Sequence, residues 1–122
     1  MELLTDIEKE RLTEFIRFVK TELGLKMTPT VIIQNGRKGL KTTANYDYRK
    51  DEKTIRVNGK NRMLVDIMRS VAHELVHHKQ FEQGRLEVQP PDIGGEIEDE
   101  ANAKAGQFIK MFSKIDSTLY DE

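Results

Sequence analysis

The residues best suited to chemistry are the five from His73 to His77, which read His-Glu-Leu-Val-His. On an α-helix, positions i and i+4 lie on one face about 6 Å apart, so two imidazoles there can bind one divalent ion. Glu74 lies about 100° around the helix from His73, within reach of a water held by that ion. The pattern therefore predicts metal-assisted hydrolysis.

The residues around this motif have the spacing of a helix. There is no Pro or Gly from Arg62 to Gln83, Asn61 is the expected N-cap, and Gly84 is the expected stop. Apolar residues recur at helical intervals, at Leu64, Ile67, Met68, Val71, Ala72 and Leu75. A pair of half-buried histidines that only form hydrogen bonds remains the alternative interpretation.

A third metal ligand would have to come from another segment. Catalytic zinc typically has three protein ligands and one open position. The remaining histidine, His78, points about 100° away from His77 on a helix, and the chain has no cysteine. The loop at 85–93 is long enough to bring a second helix alongside the first. That helix offers several carboxylates, at Glu96, Glu98, Asp99 and Glu100.

The two segments together resemble the zincin metallopeptidases with a glutamate ligand. The run Glu-x-Glu-Ala-Asn from Glu98 to Asn102 after H-E-x-x-H is similar to the ImmA/IrrE-like group and to small phage-encoded zincins, and residues 72–80 are similar to SprT-like zincins. In those families the first Glu of the run binds zinc, and the Asn supports a ligating histidine. The resemblance implies a zinc metalloendopeptidase with one Zn²⁺ per chain, bound by His73, His77 and Glu98.

The spacing of the second helix also favours Glu98. Glu98 and Asn102 are i, i+4 neighbours that flank an apolar stripe, so both can face one cleft. Carboxylates are ordinary in the first turns of a helix, which explains Glu96, Asp99 and Glu100 without a ligand role. Glu96 and Glu100 remain alternatives as the third ligand. The stripe consists of Ile97, Ala101, Ala105, Phe108, Phe112, Ile115 and Leu119.

The 122-residue chain predicts one minimal zincin-like domain of the α+β class, covering residues 1–122. A first helix is expected from Thr5 to Leu23. Strands are expected at 30–34, 40–48 and 54–58, followed by the motif helix and the ligand helix. The order predicts a three-stranded antiparallel or mixed sheet.

An exposed sheet edge beside the metal would matter for substrate binding. An extended peptide can add to such an edge through main-chain hydrogen bonds, and zincins resembling this chain bind substrate in that way. The alternative is a strand that is simply paired within the sheet. The candidate substrate-binding residues lie in the second strand, at Ala44, Asn45 and Tyr46.

A hydrolytic mechanism follows from these residues. The metal would lower the pKa of its bound water, and Glu74 would take the proton and pass it to the leaving amine. The polar donors that could stabilise the oxyanion are Tyr46, Tyr48, His78 and Tyr120, although packing alone explains any single tyrosine.

The charges of the chain restrict its partners. A net charge of −1 gives no general attraction to nucleic acid or to an anionic membrane. Residues 37–62 hold nine Lys/Arg and residues 86–122 hold nine Asp/Glu, which favours two halves attracting each other. The alternative is a basic hairpin that contacts DNA or an acidic substrate, since SprT-like proteins act on DNA-bound proteins.

The sequence also predicts where the protein is located and limits its function to three classes. Residues 1–11 contain no apolar signal segment, so the expected location is the cytoplasm, of a cell or of a phage-infected host. Three function classes remain: an active zinc peptidase, a zincin-fold regulatory or DNA-associated module that holds metal with little activity, and a structural helical protein with a chance motif.

Overall fold

The computed structural model describes residues 3–40, 42–48, 51–86 and 95–116. It has the α+β architecture expected from the sequence, with three helices and a three-stranded mixed sheet. In chain order the elements are α1 (Asp6–Leu23), β1 (Thr30–Gln34), β2 (Ala44–Asp47), β3 (Thr54–Asn58), α2 (Leu64–Glu82) and α3 (Glu96–Ile115).

The sheet has β2 at one edge. The strand order is β1-β3-β2, with β1 parallel and β2 antiparallel to β3. The Asn58 amide donates to the Thr43 carbonyl at 2.8 Å. Hydrogen-bonded and non-hydrogen-bonded pairs alternate along an antiparallel ladder, so the main-chain groups of Asn45 face β3 and those of Ala44 and Tyr46 face away from it. The described sheet therefore leaves an open edge along β2.

Helix α2 lies at the centre of the fold and contacts α1, α3, β2 and β3. Full burial of one aliphatic side chain stabilises a fold by about 1.5–3 kcal/mol, so burial along so much of this helix fixes its backbone firmly. On the far side of the core, the rings of Phe15 in α1 and Phe112 in α3 meet edge to face, 5.2 Å apart. The apolar residues that α2 buries are Leu64, Val65, Ile67, Met68, Val71, Ala72, Leu75 and Val76.

Helix α1 follows the sequence signals at both ends. The Thr5 side chain accepts from the Glu8 amide, and the Glu8 carboxylate accepts from the Thr5 amide, which completes a capping box. Gly24 then stops the helix with φ of 66°, a left-handed conformation that costs glycine little.

Two element boundaries differ from the prediction. Helix α2 begins at Leu64 after an N-cap at Met63, whereas Asn61 lies earlier, in a turn with φ of 57°. Arg62 lies before the helix, and its guanidinium donates to the Asn58 and Asp66 carbonyls, at 2.8 and 2.9 Å, which joins the turn to the helix start.

The second strand is also shorter than the predicted 40–48, spanning only Ala44–Asp47. The Thr42 hydroxyl donates to the Ala44 carbonyl at 2.9 Å, which holds the chain in a bend before the strand. The connection from β2 to β3 lies partly outside the described residues, at 49–50.

The apolar face of α3 differs from the predicted stripe at its C-terminal end. Ile115 is 67% exposed, whereas Ile109 is 1% exposed and belongs to the core. Leu119 lies outside the described residues. Ala101 and Ala105 are buried as expected, and their small side chains let α3 approach α2 closely.

Candidate metal centre

Three side chains from α2 and α3 converge with metal-ligand geometry. Nε2 of His73 lies 3.1 Å from Nε2 of His77. The two Glu98 oxygens lie 3.3 Å and 2.7 Å from these nitrogens. Ligands held at 2.0–2.1 Å in tetrahedral directions around one zinc are about 3.3 Å apart. His73, His77 and Glu98 therefore fit a small divalent ion, with room for a fourth ligand.

The position of α3 brings Glu98 to this centre rather than its neighbours. The buried Ala101 lies almost one turn after Glu98, and its small side chain keeps the start of α3 close to α2. Glu96 is exposed. The Glu100 carboxylate is engaged elsewhere, because its Oε1 accepts from Gln80 at 2.9 Å and from Arg85 at 2.8 Å. Among the carboxylates left open by the sequence, Glu98 is the one within reach of both histidines.

Glu74 supplies a buried acid beside the three ligands. Its side chain is 7% exposed, and its Oε2 is buried with no hydrogen-bond partner among the described residues. Burial, with the nearby Glu98 carboxylate adding to it, raises the pKa of Glu74 to about 8. A cation held by the neighbouring ligands would supply the positive charge that this carboxylate lacks. The orphaned oxygen thus supports the fit of a metal here.

A cleft of about 260 Å³ opens beside this acid. The side chain of Asn102 hydrogen-bonds to His73. Burial and the adjacent His77 ring lower the pKa of His73, while Glu98 and Asn102 oppose that shift. The cleft is lined by Thr42, Thr43, Ala44, Arg69, Ser70, His73, Glu74 and Asn102.

The start of β2 forms one wall of this cleft. Of the three candidate substrate-binding residues, Ala44 lines the cleft, and its main-chain groups face the open edge. Tyr46 has the same main-chain orientation but lies farther along the strand, and Asn45 turns its main-chain groups toward β3.

Three of the four donors suggested for the oxyanion, His78, Tyr46 and Tyr48, bind groups outside the cleft. His78 is 1% exposed, and its Nε2 donates to the Met27 carbonyl at 3.0 Å and to Glu82 at 3.1 Å. Its Nδ1 then accepts from the Tyr46 hydroxyl, at 2.6 Å. Tyr48 directs its hydroxyl to the Leu86 carbonyl, 3.4 Å away. These side chains bind other elements, and Tyr120 lies outside the described residues.

The Tyr46–His78 contact predicts an alkaline stability effect. Burial, then Glu82, Tyr48 and Asp47, raise the pKa of Tyr46 above its usual value of 10.0. The folded protein keeps this proton where the unfolded chain loses it, so the contribution is complete below pH 10 and falls as the pH rises further. We expect the unfolding free energy of Tyr46→Phe to fall less steeply above pH 10 than that of the intact protein.

Urea denaturation between pH 7 and pH 11 measures this slope. Tyr46→Phe should also lose about 1–3 kcal/mol at neutral pH, because His78 Nδ1 is left without a donor. The matched control is Tyr48→Phe, whose hydroxyl makes the longer contact to Leu86. Tyr48 contributes less than burial and Glu82 to the raised pKa of Tyr46, so this variant should keep most of the alkaline slope. Equal slopes for Tyr46→Phe and the intact protein would contradict the assignment.

One residue of the centre has no counterpart in the sequence prediction. Gln80 is fully buried and contacts His77 Nδ1 at 2.7 Å through its Oε1. The available signal was its position three residues after His77, which places the two side chains together on a helix.

No family model, curated protein or solved structure matches this chain. The functional assignment therefore rests on the residues of the centre and their geometry. Within the described residues, no helix is long and apolar enough to cross a membrane.

Proposed function

We propose that this protein is a zinc-dependent metallopeptidase that hydrolyses peptide bonds of a protein substrate. The proposal rests on one observation: three ligand atoms, from His73, His77 and Glu98, lie within 4.8 Å of one another beside a buried carboxylate with an unpartnered oxygen. An ion pair or a structural histidine pair would explain the contacts of Glu98. Neither explains why Glu74 is buried next to it with an oxygen that has no hydrogen-bond partner among the described residues.

Each residue of the centre has its own role in the proposed reaction. A divalent ion held by the two histidines and Glu98 would supply Lewis-acid chemistry, polarising a peptide carbonyl and making water acidic enough to ionise near neutral pH. Glu74 takes the proton of the attacking water, as its unpartnered Oε2 permits, and delivers it to the amine as the C–N bond breaks. Asn102 holds the His73 ring in place throughout.

The open edge of β2 would receive the substrate. Main-chain groups at Ala44 lie beside the cleft that also contains His73 and Glu74. The protein would recognise the backbone of an extended peptide paired there, rather than its side chains. This arrangement favours an unfolded or extended segment of a protein as substrate.

The second candidate is a zincin-fold regulatory module that holds metal and cleaves little. It is favoured by the same ligand set and differs in the role of Glu74, which would then be dispensable. Association with DNA through the basic segment 37–62, and location in the cytoplasm, remain predictions from the sequence.

Metal stoichiometry tests the proposed centre. We expect about one zinc per chain in protein purified without a metal-affinity step, and a fall in zinc affinity of more than about 100-fold for Glu98→Ala, because losing a ligand costs more than losing a group that supports one. The matched control is Glu96→Ala, an exposed carboxylate of the same first turn, which should bind zinc normally.

Zinc affinity can be measured by competition with a chromophoric chelator, and zinc content by elemental analysis. Equal losses for Glu96→Ala and Glu98→Ala would show that the acidic first turn acts only as a diffuse charge. Absence of zinc binding in the intact protein, with zinc supplied, would overturn the metallopeptidase proposal.

A further inference from the structure

Gln80 lies between the two helices that carry the candidate ligands. It is 0% exposed, and its amide has partners on both sides. On the α2 side, its Oε1 lies 2.7 Å from Nδ1 of His77. On the α3 side, its Nε2 donates to the Ile97 carbonyl at 3.0 Å and to Glu100 Oε1 at 2.9 Å. One buried side chain thus contacts one candidate ligand, His77, and two residues of the helical turn that carries the other candidate ligand, Glu98.

The partners on α3 fix the orientation of this amide. A carbonyl and a carboxylate only accept hydrogen bonds, so the NH₂ group of Gln80 must face Ile97 and Glu100. The amide oxygen must then face His77, and an amide oxygen also only accepts. His77 Nδ1 must therefore carry a proton, and Nε2 is the ring nitrogen left to bind an ion. That nitrogen is the one directed at His73 and Glu98.

A second donor, Arg85, supports the contact of Gln80 with α3. Arg85 follows α2 and donates to Glu100 Oε1 at 2.8 Å, the same oxygen that accepts from Gln80. Burial raises the pKa of Glu100, but hydrogen bonds from Gln80 and Arg85 and the charges of Lys104 and Arg85 lower it overall. Glu100 Oε1 accepts from both Gln80 and Arg85, so its position is held from two directions.

We propose that Gln80 is the positioning residue of the metal centre. It holds His77 with Nδ1 protonated and Nε2 free for the ion, and it sets the distance between His77 on α2 and Glu98 at the start of α3. The inference rests on the proposed function for the identity of the ion. The state of the His77 ring is a property of the chain that can be measured without metal.

The main test uses Gln80→Met, which keeps an unbranched side chain of similar length and removes every hydrogen bond. We expect zinc affinity to fall by about 10–100-fold. In metal-free protein near pH 9, where imidazole is ordinarily neutral, ring nitrogen NMR shifts should show Nδ1 of His77 protonated in the intact chain and unprotonated in the variant. The matched control is Ile67→Val, another buried change on α2, which should alter neither readout.

A double variant tests rescue. Gln80→Glu/Glu100→Gln reverses the polarity of the pair, keeps the net charge, and still presents an oxygen to His77. The carboxylate introduced at position 80 cannot donate to the Ile97 carbonyl, so some loss of zinc affinity is expected. We expect the Nδ1 proton of His77 to be retained. If Gln80→Met does not fold, this variant carries the test, and a folded double variant that loses the Nδ1 proton would overturn the proposal.

The outcomes separate the two proposals. An intact chain that shows Nδ1 protonated but binds no zinc would end the metallopeptidase assignment and leave the positioning of His77 standing. A Gln80→Met protein that binds zinc normally, or that keeps the Nδ1 proton, would end the role of Gln80 and leave the metal centre standing.

Discussion

The Glu74→Gln variant is expected to keep its zinc and to lose peptide hydrolysis by a factor of about 10²–10⁴, the usual contribution of a positioned general base. The change preserves the shape of a buried side chain and removes only its ability to take a proton. Glu74 is not among the three converging ligands, so zinc content should be unchanged. The measurement is kcat/KM on an unfolded protein substrate, beside elemental analysis of the same preparation.

The control is Glu82→Gln, a carboxylate on the same helix whose oxygens bind His78 and the amides of Lys26 and Met27. It should lose stability while keeping the chemical step. Turnover that survives in Glu74→Gln would contradict the role of Glu74 as the base. A zinc-loaded intact protein that cleaves nothing would favour the regulatory module instead.

Zinc is expected to stabilise the intact protein against heat and to leave His73→Ala/His77→Ala unaffected. An ion that binds only the folded state at about 100 times its Kd adds about 2.7 kcal/mol to the free energy of unfolding. For a chain of this size that corresponds to a rise in Tm of about 10 °C. Both histidines lie at the centre of the site, so their loss should remove the whole shift.

Differential scanning calorimetry with zinc, and separately with magnesium, measures this effect. Magnesium serves as the control ion because it prefers oxygen ligands in octahedral geometry, so it should leave the Tm unchanged. A zinc-induced rise of equal size in the double variant would place the bound ion elsewhere on the protein.

The helices could be predicted largely because their signals are local. Thr5 and Glu8 form a capping box within four residues of each other, and Gly24 stops the same helix through its own backbone freedom. The pairing of His73 with His77 is equally local, since helix geometry alone puts them on one face. Such features need no knowledge of the tertiary fold.

The remainder depends on how distant segments pack. Spacing favoured Glu98 but left Glu100 as an alternative, because the choice also depends on where Gln80 and Arg85 meet α3. His78 was a candidate for the cleft until the fold placed it against Tyr46, 32 positions earlier in the chain. The prediction of an N-cap at Asn61 was wrong because the backbone stays extended at Met63, with φ of −74° and ψ of 155°, and the helix begins after it.

The shortness of β2 has a consequence for the behaviour of the protein in solution. A long unpaired strand is a template for self-association, and natural proteins limit that hazard by keeping exposed strands short. β2 spans four residues and turns the main-chain groups of only Ala44 and Tyr46 outward. Within the described residues, a second copy of the chain would find the main-chain groups of only these two residues of β2 available for pairing. A cleaved peptide would likewise dissociate quickly, so product inhibition should be weak even at high substrate concentration.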